Sequence, residues 1–190
     1  MHEDAAGAVR PVIRIAEPSR DAAGCAAIYG RYVRESLVTF ETEPPSPEEM
    51  SARMHAVLAW TPWLVALQGD RVIGYAYASR HRERAGYRWA VDVSVYLDPE
   101  ARGRGIGRAL YTALFPYLER QGFYRAYAGI GLPNEASVGI HRAFGFGDVG
   151  IYRRIGWKHG QWVDVLWMAR DLRDDGEPAE PIPFPELRLT

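Results

Sequence analysis

Arg102-Gly103-Arg104-Gly105-Ile106-Gly107 stands between the β-branched run Val93-Ser94-Val95-Tyr96-Leu97 and a helical pattern that opens Ala109-Leu110-Tyr111-Thr112-Ala113-Leu114. A strand that enters a glycine-rich turn and leaves as an amphipathic helix aims a row of backbone N–H groups at whatever lies before the helix, which makes a pyrophosphate cradle. Arg102, Arg104 and Arg108 favour this reading over a tight turn without a ligand. Cations at a helix start oppose the helix dipole unless an anion offsets them. Spacing excludes two other glycine loops. Gly107 is followed by Arg108-Ala109 instead of the Lys-Ser/Thr of a Walker loop. The glycines run G-x-G-x-G where a dinucleotide fingerprint needs G-x-G-x-x-G, and no acidic residue closes a second strand about 20 residues on.

Outward from this loop the pattern alternates between sheet and helix. Val12 to Ala16 reads as a first strand, and Asp21 to Ser36 carries helical apolar spacing through Ala27, Ile28, Tyr32 and Val33. Ser46-Pro47-Glu48-Glu49 is a capping box with proline at the first helical position, so a second helix runs to about Ala59. Trp63–Leu67 and Val72–Ala78 form a hairpin about Gly69-Asp70. Arg88 to Leu97 is a strand, Arg104 to Gln121 the cradle helix and Tyr124 to Ile130 another strand. Asn134 caps a short helix to Phe144, and Asp148–Ile155 with Gln161–Met168 closes the pattern as a hairpin about Lys158-His159-Gly160. Residues 1 to 11 read as a loose arm. Residues 1 to 172 form one domain, and 173 to 190 a proline-rich tail, either disordered or draped over the domain.

Composition narrows the function. The chain has 190 residues, enough for one domain that buries roughly 70% of its unfolded surface without staples. With 23 basic and 24 acidic residues the formal charge is −1, so no global field favours nucleic acid or anionic lipid. No apolar run approaches the roughly 18 residues of a membrane span, and Met1-His2-Glu3-Asp4 lacks a signal-peptide pattern; a cytoplasmic protein with small partners is expected. Cys25 is the single cysteine, and its neighbours Ala22-Ala23-Gly24 and Ala26-Ala27-Ile28 mark it as core packing. The five histidines have no cysteine companions and no helical pairing, so no metal site is expected. Trp157, Trp162 and Trp167 place more apolar surface near the carboxyl end than a lone domain buries, which points to a homodimer.

Three features carry chemistry. Asp92 lies among Trp89, Ala90, Val91 and Val93, where burial suits a carboxylate to general-base work; the alternative is an ion pair with Arg80, Arg82, Arg84 or Arg88. A peptide N–H near Val95 or Tyr96 becomes an oxyanion donor if the strand leaves its neighbour after Leu97. Asn134 caps its helix, and with Ser137 offers polar groups to a ligand.

The Arg-x-x-Gly-x-Gly loop resembles the acyl-CoA loop of the GNAT acetyltransferase superfamily. The resemblance narrows to phosphinothricin N-acetyltransferases and the related methionine sulfoximine and amino-acid N-acyltransferases. It rests on Thr39-Phe40-Glu41-Thr42-Glu43-Pro44, Arg82-x-Arg84-x-x-Tyr87, Ser94-Val95-Tyr96-Leu97, Gly129-Ile130-x-x-x-Asn134, His141 and Gly156-Trp157-Lys158-His159-Gly160-Gln161-Trp162-x-Asp164. It implies an α/β (α+β) fold, a mixed, mostly antiparallel sheet of about seven strands with about four helices.

The resemblance also implies acetyl-CoA as co-substrate. Its pyrophosphate would rest on Arg102, Gly103, Arg104, Gly105, Ile106 and Gly107, and its pantetheine arm beside the backbone of Val95, Tyr96 and Leu97 and the side chains of Asn134 and Ser137. Asp92 stands where the family's proposed catalytic glutamate does, one C–C bond shorter at about 1.5 Å. His141 matches a histidine near the reacting centre. Phe40, Arg82, Arg84 and Tyr87 match the lining of the acceptor pocket. The implied activity is direct acetyl transfer to the α-amino group of a small amino acid analogue. Acetylation of peptide N-termini or other amines, and a non-catalytic acyl-CoA sensor, are the alternatives.

Overall fold

The structure, a computed structural model, describes residues 11–174 and 176–187, so all but the last residue of the expected amino-terminal arm lies outside the described residues. Seven strands and four helices follow one another: β1 (Val12–Ile15), α1 (Pro18–Glu35), α2 (Pro47–Leu58), β2 (Trp63–Gln68), β3 (Arg71–Arg80), β4 (Ala90–Leu97), α3 (Ile106–Gln121), β5 (Arg125–Gly131), α4 (Glu135–Ala143), β6 (Gly147–Lys158) and β7 (Gln161–Asp171). The strands form one sheet in the order β1-β2-β3-β4-β5-β7-β6. Every neighbouring pair is antiparallel except β4 and β5. This is the mixed α/β fold expected from the resemblance.

Two expected boundaries move for local reasons. α1 starts three residues earlier, with Pro18 in its first turn, where the missing proline N–H costs nothing. Asp21 then faces back and accepts from the Glu17 amide and both guanidinium nitrogens of Arg14 at 2.7 to 2.8 Å. α3 starts two residues later, because Gly103 (φ +73°) and Gly105 (φ +76°) hold left-handed backbone that a helix excludes. The α2 capping box is complete, Ser46 Oγ accepting from the Glu49 amide and Glu49 from the Ser46 amide.

The sheet has a core on each face. Val91, Val93, Ala126, Ala128 and Ile130 pack with Leu110, Tyr111, Leu114 and Leu118 of α3. On the other face Trp63, Val65 and Tyr75 pack with Cys25, Ile28, Tyr29, Met50 and Met54 of α1 and α2. Cys25 is fully buried, and its thiol is pushed up to about 12 by desolvation, so it belongs to the core. The tail is draped. Ile182 donates its amide to the Gln121 carbonyl, Phe184 to that of Trp60, and the Trp89 indole donates to the Ala179 carbonyl at 2.7 Å.

β4 and β5 pair only over Ala90–Asp92 and Arg125–Tyr127. Beyond Asp92 the two strands part, while β4 keeps its full register with β3 to Leu97. The separation was expected after Leu97. It begins five residues earlier, because from Val93 onward the β5 side of β4 faces an opening instead of a ladder partner.

Candidate active site

That opening is a wedge lined by Val93, Ser94, Val95 and Tyr96 from β4, Ala128–Gly131 from β5, and Asn134, Ser137 and His141 from α4, with Val38 closing one side. Its β4 wall presents one usable peptide. The Tyr32 hydroxyl donates to the Leu97 carbonyl at 2.8 Å and accepts from the Leu97 amide at 3.3 Å, so this peptide pair points away from β3. The amide of Asp98, one residue on, donates to the Ile73 carbonyl on β3. Strand alternation then directs Val95, like Leu97, into the wedge and Tyr96 toward β3. Of the two peptides expected as oxyanion donor, that of Val95 faces the wedge. Of the three residues expected beside a ligand arm, Val95 turns its backbone to the wedge, Tyr96 turns it to β3, and the Leu97 peptide bonds to the Tyr32 hydroxyl.

The glycine loop stands at the start of α3. Gly105 is the helix N-cap, and no atom lies within 4 Å of where a β-carbon would stand at Gly103 or Gly105. This open, side-chain-free concavity at a helix N-terminus suits a diphosphate. Arg102 and Arg104 are exposed beside it, Arg102 over the Tyr32 ring at 5.2 Å and Arg104 bonded to Gln68. Ile106 and Gly107 are buried, so only their amides serve the loop; Gly107 has a packing role, because a β-carbon there would meet Ile140 at 3.0 Å.

Asn134 Oδ1 accepts from the Ser137 amide at 3.1 Å, so the cap and the wedge lining coincide in one residue. His141 is 3% exposed. Its Nδ1 is 2.7 Å from the Ser137 carbonyl, which only accepts, so Nδ1 carries the proton and Nε2 accepts from the Tyr111 hydroxyl at 3.0 Å. Burial lowers the His141 pKa, with the Ser137 carbonyl opposing, so the neutral ring is favoured.

Asp92 is on the opposite face of the sheet from His141, on the face of Ser94 and Tyr96. Neither sequence reading of its surroundings named the partner it has. Its carboxylate is 2.7 Å from Nδ1 of His81, not in an ion pair with Arg80, Arg82, Arg84 or Arg88. Burial raises the Asp92 pKa, and His81 and Arg82 counteract it. The hairpin register contained this signal: His81 follows Arg80, which pairs with Val91, so His81 stands diagonal to Asp92 on one face.

The acceptor-side residues divide into two groups. Arg82 lies with its guanidinium 5.8 Å from the Trp167 ring, and Tyr87 presents an edge to His81 at 6.2 Å. Arg84 is exposed at the start of the 3-10 turn Ala85–Tyr87. Phe40 lies elsewhere, flat on Gly156, where a β-carbon would overlap its ring. Among the described contacts none joins Phe40 to the Arg82 group. The Phe40 loop is anchored by the buried Lys158, which donates to the Thr39 carbonyl at 2.7 Å, and by the Leu37 backbone pressed against Gly131. Tyr32, His81, Tyr111 and Trp167 were not singled out in the sequence as site residues. Among the described residues no cluster of three or more His, Cys, Asp or Glu side chains is placed to hold a metal.

A sheet opened between two parallel strands and faced by a glycine-led helix start is the architecture of an acetyl-CoA-dependent acetyltransferase. The chain belongs to the GNAT acetyltransferase family: the family model described as an acetyltransferase (GNAT) domain matches residues 13–167. A phosphinothricin N-acetyltransferase of Streptomyces coelicolor is 42% identical over 149 residues, covering 76% of this chain and 87% of that relative. An L-methionine sulfoximine/L-methionine sulfone acetyltransferase of Salmonella typhimurium is 32% identical, covering 83% and 95%. Among solved structures, a phosphinothricin acetyltransferase from Sinorhizobium meliloti in complex with AcCoA superposes with a TM-score of 0.86 at 38% identity, covering 95% of this chain and 100% of that one.

Proposed function

We propose that this enzyme transfers acetyl from acetyl-CoA directly to the α-amino group of a small amino acid analogue of the phosphinothricin or methionine sulfoximine type. One observation carries the mechanism: β4 leaves β5 at Asp92, a half-buried carboxylate, and a wedge opens between the strands beyond it. The amides from Gly103 to Gly107 hold the coenzyme's diphosphate. The Val95 amide stabilises negative charge developing on the thioester oxygen, a contribution of about 3 to 4 kcal/mol for one such donor. Bound acetyl-CoA supplies the activated acyl group. An α-amine, with a reference pKa of about 8, must lose its proton to attack, and the Asp92 side of the wedge accepts it. Exposed Arg82 and Arg84 offer cations to the acceptor's carboxylate or phosphinate.

Release of free thiol from acetyl-CoA, followed over phosphinothricin, methionine sulfoximine, methionine sulfone, free amino acids and short peptides, tests the reading. Turnover on the sulfoximine or phosphinate compounds well above peptides is expected. Turnover on peptides alone moves the assignment to N-terminal acetylation, and saturable acetyl-CoA binding without thiol release overturns the enzymatic reading.

We also propose a homodimer formed through the β6 edge. β6 ends the sheet, and Val149, Ile151, Tyr152, Ile155 and Trp157, with Trp162 of β7, are each at least 43% exposed. So many large apolar side chains on one edge are more than a lone domain leaves to water.

A further inference from the structure

His81 follows Arg80, the last residue of β3, and its ring reaches across β4 to β5. It stacks on Tyr127 of β5, centroids 4.4 Å apart and planes 19° from parallel, and presents an edge to Trp167 of β7 at 5.8 Å. Tyr127 is the β5 residue paired with Asp92, the last pair before the strands part. Trp167 in turn lies against Gly129, which lines the wedge. The imidazole therefore lies over the last β4–β5 pair, from which the strands part, with the Asp92 carboxylate 2.7 Å from its Nδ1.

An ionised carboxylate only accepts hydrogen bonds, so the proton between them belongs to Nδ1 of His81. That leaves the Nε2 lone pair directed away from Asp92. No described hydrogen bond uses it. The charged and titratable groups facing the pair are Arg82 beside it, Tyr87 from the loop, Tyr127 from β5 and Tyr77 from β3.

We infer that His81 is the group that takes the acceptor amine's proton, and that Asp92 is a positioning residue that holds the imidazole and offsets its charge; this rests on the acetyl-transfer reading above. In the step, an N–H bond of the acceptor's ammonium breaks and an N–H bond forms at Nε2, moving the positive charge onto an imidazolium beside the Asp92 carboxylate. The freed amine lone pair then forms the C–N bond as the C–S bond breaks, the electron pair leaves with sulfur, and a second proton of the attacking nitrogen passes to that thiolate, which gives the amide and the free thiol.

The test compares native protein with His81→Phe, His81→Gln, Asp92→Asn and the double variant His81→Ala, Asp92→Glu. Thiol release on the best acceptor of the panel is measured with acetyl-CoA binding by calorimetry, and imidazole nitrogens are followed by NMR in the ligand-free protein. Phenylalanine retains the stack on Tyr127, and glutamine retains a donor for Asp92. Both are expected to keep acetyl-CoA affinity within about twofold and acceptor KM within about threefold, and to lower kcat about 10² to 10⁴-fold. Glutamate at 92, reaching about 1.5 Å further, is expected to restore part of that rate when the imidazole is gone. The native spectrum should show the Nδ1–H tautomer, with the proton signal lost in Asp92→Asn. An active native protein whose His81→Phe and His81→Gln forms turn over within about threefold of it, or an Nε2–H tautomer, overturns this assignment alone. A native protein that releases no thiol with any acceptor overturns the transfer reading together with it.

Discussion

The Tyr111 hydroxyl lies 3.0 Å from Nε2 of His141, and with the Ser137 carbonyl at 2.7 Å from Nδ1 it commits both nitrogens of that ring inside the protein. His141 lines the wedge, yet its chemistry in the ligand-free enzyme is that of a neutral, fully bonded group. Burial of Tyr111 raises its own pKa, so the hydroxyl remains a donor throughout the working range.

A pH-dependent stability follows from this pair. The folded-state pKa of His141 is lowered by desolvation, so folding favours the neutral ring. Its contribution is fully present above the ordinary histidine value of about 6.5 and is lost as pH falls through the lowered value. Thermal melts from pH 8 to pH 5 should show Tm falling on the acid side, with a shallower fall in His141→Gln, which keeps a donor and an acceptor. Asp92, whose pKa burial raises, is common to native protein and variant and drops out of the comparison. An unchanged acid limb in the variant would locate the effect elsewhere.

Gly105→Ala should separate binding from folding. A β-carbon there meets no atom within 4 Å, but φ +76° costs an L side chain about 1 to 2 kcal/mol. For a chain of this size that lowers Tm by roughly 2 to 8 °C. The methyl group also enters the anion cradle, and losing one charge-assisted bond of about 1.5 to 3 kcal/mol weakens binding by 10-fold to over 100-fold. Calorimetry with acetyl-CoA checks this, and an affinity equal to native would place the diphosphate away from Gly105.

The cradle was legible because its signal is local: three glycines between a β-branched run and a helix leave few alternatives. The mixed sheet was legible only through the family resemblance, and its strand order was not read, because pairing of β5 with both β4 and β7 joins residues far apart in the chain. His81 was missed for the same reason. Its meaning depends on the β3–β4 register, and the nine residues between Arg80 and Ala90 hide which residue faces Asp92. Tyr32 was visible as an apolar helix position, but that its hydroxyl reaches the Leu97 peptide 65 residues on has no sequence signature. Tail draping likewise depends on the Gln121 side chain, which donates to the carbonyls of both Trp60 and Ile182.

Phe40, which is not among the residues lining the wedge, should control acceptor binding and leave coenzyme binding unchanged. Gly156→Ala forces the Phe40 ring off its seat, since a β-carbon there overlaps it. Lys158→Met keeps the stem in its buried slot and removes the donor to the Thr39 carbonyl, at a cost of about 1 to 3 kcal/mol. Both changes are expected to raise acceptor KM about three- to tenfold, the worth of roughly one aromatic contact, with acetyl-CoA affinity unchanged. Steady-state kinetics varying each substrate in turn distinguish this from a general loss of fold, which would move both constants.

Charge on the β6 edge should break the proposed dimer. Ile155 and Trp157 are each 57% exposed, and Trp157 meets Trp162 edge to face at 5.2 Å, so the three present a continuous apolar ridge. A carboxylate set in such a ridge is desolvated on association without a partner, a penalty of several kcal/mol counted once in each protomer. Light scattering at micromolar concentration should give twice the chain mass of 21.4 kDa for the native protein and the chain mass for Ile155→Glu. Because β6 is also the strand that carries Gly156 and Lys158, the monomeric variant should lose acceptor affinity along with its partner. A native protein that runs as a monomer would remove the dimer and leave the ridge without an occupant.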